Sequence, residues 1–236
     1  MIPIRDTIRS REYPFTNITL ILINALVFFY QLSLGREVDA LVLHYGLVPA
    51  KFTLSAKWEV DPVFRYLPFL TSMFLHGGWI HFIGNMWYLW IFGDNVEDRL
   101  GHFRYLIFYL LCGFIAGYAQ YITHPLSTVP MIGASGAIAG ILGAYLTLFP
   151  HSTVITLVPV FFFLTLVEVP AVVFLVLWFL MQFLNGTIAI TFVSQATGGV
   201  AWWAHIGGFL AGFFLVHFFK RRRVPRYYED EAWPSW

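Results

Sequence analysis

The stretch Gly133-Ala134-Ser135-Gly136-Ala137-Ile138-Ala139-Gly140 opens an apolar run that ends at Pro150, and it carries one hydroxyl among glycines and alanines. Read as a helix, it sets Ser135, Ala139 and Gly143 on one face and Gly136, Gly140 and Ala144 on the stripe beside it. Stripes of small residues let a second helix come close, so packing alone accounts for the stretch. A nucleophilic serine is the alternative. A second small stripe, Ala204, Gly208 and Gly212, runs next to His205 later in the chain. With the two stripes packed together, a base would face the hydroxyl.

The composition sets the environment in which this happens. Of 236 residues, 58% are hydrophobic and 11% charged, with a mean hydropathy of +0.70, where a soluble domain carries about 25% charged residues. This is the composition of a polytopic membrane protein. A net charge of +1 argues against nucleic acid as a partner, because the basic residues sit in short flanking runs and make no broad face. The single cysteine, Cys112, lies in an apolar run and supplies neither a disulfide framework nor a thiolate metal cluster. The charged opening from Arg5 to Glu12 precedes a hydrophobic stretch with no small-residue cleavage site after it. It reads as a retained first helix.

Apolar stretches of spanning length, about 20 residues each, fall at roughly 16–34, 79–93, 103–122, 132–149, 169–186 and 200–219. The expected fold class is therefore an all-α bundle of six transmembrane helices. A cytoplasmic segment 1–15 would precede the six-span domain 16–219, and a basic cytoplasmic tail 220–236 would follow it. Residues 154–167 are apolar but short and are cut off by Glu168 and Pro170, so they are expected at the membrane interface. With the N-terminus inside, the inner segments hold ten Lys and Arg residues, Arg5, Arg99 and Lys220 among them. The outer ones hold four: Arg36, Lys51, Lys57 and Arg65. That bias puts both termini in the cytoplasm, which an even number of spans requires. The outer connection 35–68, with Tyr45, Phe52, Trp58 and Phe64, is expected in the interface, and the charged turn 93–99 as a solvated helix-end loop.

Spans two, four and six all enter from the outer face, and each carries its polar residues within the first turn or two: His81 and Asn85, then Ser135, then His205. At about 1.5 Å of rise per residue these groups share one layer. Polar groups inside a membrane face the bundle interior or a hydrated cavity. Serine becomes a useful nucleophile when a neighbouring base takes its proton, and imidazole suits that task. No Asp or Glu lies near this layer in those spans, so the arrangement would be a dyad. Donors for the oxyanion could come from the Ser135 backbone N–H, the Asn85 amide and a His81 N–H. The plainer alternative for each of these is an interhelical hydrogen-bond clip.

At these residues the chain resembles the rhomboid intramembrane serine proteases. The resemblance rests on Gly133-Ala134-Ser135-Gly136, on Ala204-His205-Ile206-Gly207-Gly208, and on His76-Gly77-Gly78-Trp79-Ile80-His81-Phe82-Ile83-Gly84-Asn85. It implies Ser135 as nucleophile, His205 as general base and acid, and His81 with Asn85 as oxyanion donors. Gly133, Gly136, Gly208 and Gly212 would be supporting packing positions. The implied substrates are other membrane proteins, cut in or beside a transmembrane segment within the lipid bilayer. No metal, cofactor or nucleic acid is implied, and the expected setting is a multi-pass protein of a prokaryotic plasma membrane. Two positions depart from the family pattern. Phe64-Arg65 stands where many relatives have Trp-Arg, and Ala139 stands four residues after the serine, where some have a tyrosine packed on the histidine.

Two rival functions fit parts of the pattern. A catalytically silent rhomboid-like binder or chaperone would keep the fold, but such relatives usually lack the serine or the histidine. A metal transporter could use His76, His81 and His205, since histidine is a common metal ligand, but no intramembrane carboxylate joins them and no His-Glu-x-x-His motif is present.

Overall fold

The computed structural model describes residues 1–58, 60–160, 163–192 and 201–221. The chain begins with a strand, β1 (Ile2–Asp6), and enters α1 (Phe15–Ser33). Three short helices follow, α2 (Val38–Tyr45), α3 (Pro49–Lys57) and α4 (Pro62–Thr71), and then the long antiparallel pair α5 (Trp79–Leu100) and α6 (His102–Thr123). After α7 (Ser135–Leu148) come the strands β2 (Thr153–Val160) and β3 (Phe163–Pro170), and then α8 (Ala171–Phe192) and α9 (Trp202–Phe219).

Among the described residues, four helices are long and apolar enough to cross a membrane: Phe15–Ser33, His102–Thr123, Ala171–Ile188 and Trp202–Phe219. α5 carries Asp94, Glu97, Asp98 and Arg99 in its last turns, and α7 has only 14 residues. α5 nevertheless runs alongside α1 from end to end. The start of α5 meets the end of α1, where the Gln31 amide pairs with the backbone of His76 on both sides, donating at 3.1 Å and accepting at 2.8 Å. The end of α5 meets the start of α1, where the Thr16 and Asn17 N–H groups donate to the Glu97 carboxylate at 2.8 and 2.7 Å.

These contacts correct the expectation of a solvated loop at 93–99. The segment is the end of α5, and Asn95 and Glu97 are buried. Pro14 has no side chain that could cap α1, so a carboxylate from another helix satisfies the orphan N–H groups at its positive end. α1 turns a stripe of Asn17, Leu20, Asn24, Phe28 and Gln31 inward and leaves Leu22, Leu26 and Phe29 exposed. This inversion is what an apolar solvent favours, because polar side chains find partners only inside the bundle.

The all-α expectation is also corrected. β1, β2 and β3 form one antiparallel sheet in that order, with Ile2 opposite Leu157 and Val154 opposite Val169. The described residues of the stretch 154–167 are therefore parts of two antiparallel strands, and 161–162 lie outside the described residues. Their Thr, Val, Ile and Leu residues suit a pleated surface, and β1, from the far end of the sequence, completes the pairing.

The two small stripes do pack together. A Cβ on Gly208 would collide with the carbonyl oxygen of Gly136, and one on Gly212 with that of Gly140. α7 and α9 thus touch backbone to backbone, which fixes everything mounted at their starts. Of the predicted tail, Lys220 and Arg221 are described, and residues 222–236 lie outside the described residues. The Arg221 guanidinium pairs with Glu12 at 2.9 Å, so the last described residue stands beside the first helix's entry.

Candidate active site

Ser135 is the first residue of α7. The chain reaches it through Gly133, held at φ 122° and anchored by its N–H to the Ser72 carbonyl at 2.8 Å. The left-handed φ favours glycine, and so does the space, since a Cβ there would stand 2.6 Å from His81 Nε2 and 3.5 Å from Asn85 Nδ2. The first bond of α7 runs from the Ile138 N–H to the Ala134 carbonyl, at 3.0 Å. The N–H groups of Ser135, Gly136 and Ala137 therefore have no partner within the helix, and the helix start carries partial positive charge.

His205 lies in the first turn of α9 and is buried. Its Nε2 is 2.8 Å from Ser135 Oγ, and its Nδ1 is 2.9 Å from Oε1 of Gln182. An amide oxygen only accepts, so Nδ1 carries the ring proton and the lone pair of Nε2 faces the serine hydroxyl.

His81 and Asn85 sit one turn apart at the start of α5. The Gly77 N–H donates to His81 Nδ1 at 3.3 Å, which leaves the His81 proton on Nε2, the atom directed at the space beside Gly133. Asn85 is buried, and its Nδ2 has no hydrogen-bond partner among the described residues. Two side-chain donors and a helix N-terminus thus converge on one small volume next to the Ser135 hydroxyl. This volume is part of a cavity of about 1030 Å³, whose lining includes Ser135, His205, His81, Asn85, Trp178 and Gln182.

The residues expected to make the dyad, the oxyanion side and the packing stripes lie at this cavity or beneath it, whereas His76 is buried outside its lining. Ser135, His205, His81, Asn85, Gly133 and Gly136 line the cavity, while Gly208 and Gly212 hold α9 against α7. Gln182 and Trp178 were not legible as site residues. They lie in a span that reads as uniformly apolar, and the only hint was one amide in mid-helix with a tryptophan four residues before it. Ala139 is fully buried, and Trp178 instead provides an aromatic neighbour for the base, its ring centre 5.9 Å from that of His205. At the other departure, the Arg65 guanidinium lies over the Phe52 ring at 4.5 Å.

The Rhomboid domain profile matches residues 63–222, from α4 to just past α9. YdcA of Bacillus subtilis (strain 168), whose name carries the words "rhomboid protease", is 39% identical over 77 residues, covering 33% of this chain and 38% of that protein. The human mitochondrial presenilin-associated rhomboid-like protein is 29% identical over 195 residues, covering 72% of this chain and 46% of its own length. Chloroplastic rhomboid-like protein 11 of Arabidopsis thaliana is 37% identical over 73 residues, covering 31% of this chain and 26% of its own. The chain spans less than half the length of each of these relatives. The matched domain takes in the serine, the histidine and the helix stripes that join them, and the chain belongs to the rhomboid family.

Proposed function

We propose that the chain is an intramembrane serine endopeptidase that hydrolyses peptide bonds in or beside the transmembrane segments of other membrane proteins. The observation that carries this reading is the 2.8 Å approach of Ser135 Oγ to His205 Nε2, in a cavity where the Asn85 amide donor has no partner among the described residues. His205 takes the Ser135 proton as Oγ attacks the scissile carbonyl. The tetrahedral oxyanion is met by His81 Nε2–H, Asn85 Nδ2–H and the free N–H at the start of α7, donors aligned before the charge develops. The protonated His205 then gives its proton to the leaving amine. A water activated by the same imidazole resolves the acyl-enzyme. None of these steps calls for a metal or a cofactor.

Six crossings with both termini in the cytoplasm agree with the end-to-end contacts of α1 and α5 and with the pairing of Arg221 with Glu12. They also agree with the ten-to-four division of basic residues. The proposed setting is a prokaryotic plasma membrane. A helix in lipid keeps its backbone hydrogen bonds internal, so the scissile bond must unwind first, and substrates with Gly or Pro near the cut should be favoured.

The test is to reconstitute the protein in liposomes with a single-span substrate and compare it with Ser135→Ala. Cleavage by the wild type and none by the variant is expected. Equal cleavage by both would remove the protease reading, and no cleavage by either would favour a silent rhomboid-like binder.

A further inference from the structure

We infer that Trp178 and Gln182 of α8 are the positioning residues of the base, so that the catalytic competence of His205 is set by a helix that carries neither member of the dyad. The inference rests on the protease reading and assigns what holds its imidazole. The two residues are four apart and share one face of α8. Gln182 is buried and its Oε1 stands 2.9 Å from His205 Nδ1. The Trp178 ring lies 5.9 Å from the His205 ring, tilted by 39°, and is itself braced against Phe209 at 6.0 Å. Trp202 meets the His205 ring edge-on at 6.3 Å.

A dyad has no acid to choose the tautomer of its base, and an imidazole free to place its proton on Nε2 cannot accept from serine. The Gln182 oxygen removes that freedom by accepting from Nδ1–H. An amide can do this inside the bundle, where a carboxylate would carry a large desolvation cost. The difference has a chemical consequence. A carboxylate would also stabilise the imidazolium, whereas the amide fixes the tautomer and leaves the base easily deprotonated. The other ionisable side chains lining the cavity, His81 and Tyr88 of α5, offer no negative charge at neutral pH. Ser135 is the neighbour from α7.

The experiment compares wild type with Gln182→Leu and Gln182→Glu in nanodiscs. It measures kcat, KM and the pH profile of kcat/KM per folded molecule, together with the ¹⁵N resonances of His205. Gln182→Leu is expected to lower kcat about 100-fold with KM within twofold. The His205 signal should move from a single Nδ1–H form to a mixture of tautomers. Gln182→Glu restores the acceptor and is expected to recover most of kcat, but with the acid limb of the profile moved to higher pH, because a nearby negative charge favours the imidazolium. A merely structural glutamine would change the folded fraction and leave the acid limb and the tautomer where they were. That outcome, or a wild-type kcat in Gln182→Leu, overturns the inference. If the wild type cleaves no better than Ser135→Ala, the protease reading fails. The ¹⁵N tautomer result still decides whether Gln182 fixes the ring.

Discussion

The Tyr145 hydroxyl donates to Oδ2 of Asp6 at 2.6 Å, and the Asn95 amide donates to the same oxygen at 2.8 Å. One carboxylate near the N-terminus therefore ties β1 to α5 and to the helix that begins with Ser135. Burial raises the Asp6 pKa to about 6. The Tyr145 hydrogen bond opposes this shift, and the charge of Asp94 adds to it. The folded state thus holds the proton more tightly than the unfolded chain. The stabilisation from protonating Asp6 is fully present below the ordinary value of 3.8 and is lost as pH rises through about 6. Thermal unfolding should show a midpoint that falls between pH 4 and pH 7, with a shallower fall in Asp6→Asn. Equal slopes in the two proteins would refute the assignment.

Ser135→Ala and His205→Ala should each abolish cleavage, and the double variant should be no worse than either, because groups that act as one unit are non-additive. A serine-directed covalent inhibitor should label the wild type at Ser135 and His205→Ala poorly. Chelators should leave turnover unchanged, and a chelator-sensitive enzyme would reopen the metal reading.

Asn85→Ala should lower kcat by roughly 10- to 1,000-fold, the range for losing one oxyanion donor while others remain, with KM nearly constant. Its Nδ2 has no partner among the described residues, so its loss removes no interhelical bond that they make with that nitrogen. The melting temperature should hardly change. A large drop in stability with normal turnover per folded molecule would make Asn85 a clip and not a donor.

Gly212→Ala tests the contact beneath the dyad. The new methyl would collide with the Gly140 carbonyl, and overpacking of this kind typically costs about 1–3 kcal/mol. Because α9 must move away from α7 to admit it, turnover should fall by more than the loss of folded protein accounts for. Activity that tracks folded protein alone would show that the Ser135–His205 distance does not depend on this contact.

The stretches that make the site were open to reading in the sequence because their chemistry is local. Ser135 among small residues, His205 beside a second small stripe, and His81 with Asn85 one turn apart all declare themselves by type and spacing. The features that escaped depend on partners far away in the chain. β1 pairs with β2 across some hundred and fifty residues, Thr7 meeting Thr153 at a separation of 146, and no local pattern announces that. The acids of 93–99 look like a loop until the start of α1 supplies the N–H groups that Glu97 accepts from. Gln182 shows the same limit, since an amide within an apolar span gains a meaning only when the base packed against it is known.

The shortness of α7 bears on where the reaction takes place. Its 14 residues span about 21 Å at 1.5 Å each, roughly 9 Å less than the ~30 Å hydrocarbon layer. With its far end tied through Tyr145 to the sheet that carries Asp6, a helix of this length does not reach both faces of such a layer. On the proposed reading, Ser135 would then lie that far below the surface, and the water that resolves an acyl-enzyme would have to cross the same distance. Transmembrane substrates would be cut at a depth set by how many turns separate Ser135 from Tyr145, so lengthening α7 by one turn should move the cleavage position toward the surface by about 5.4 Å.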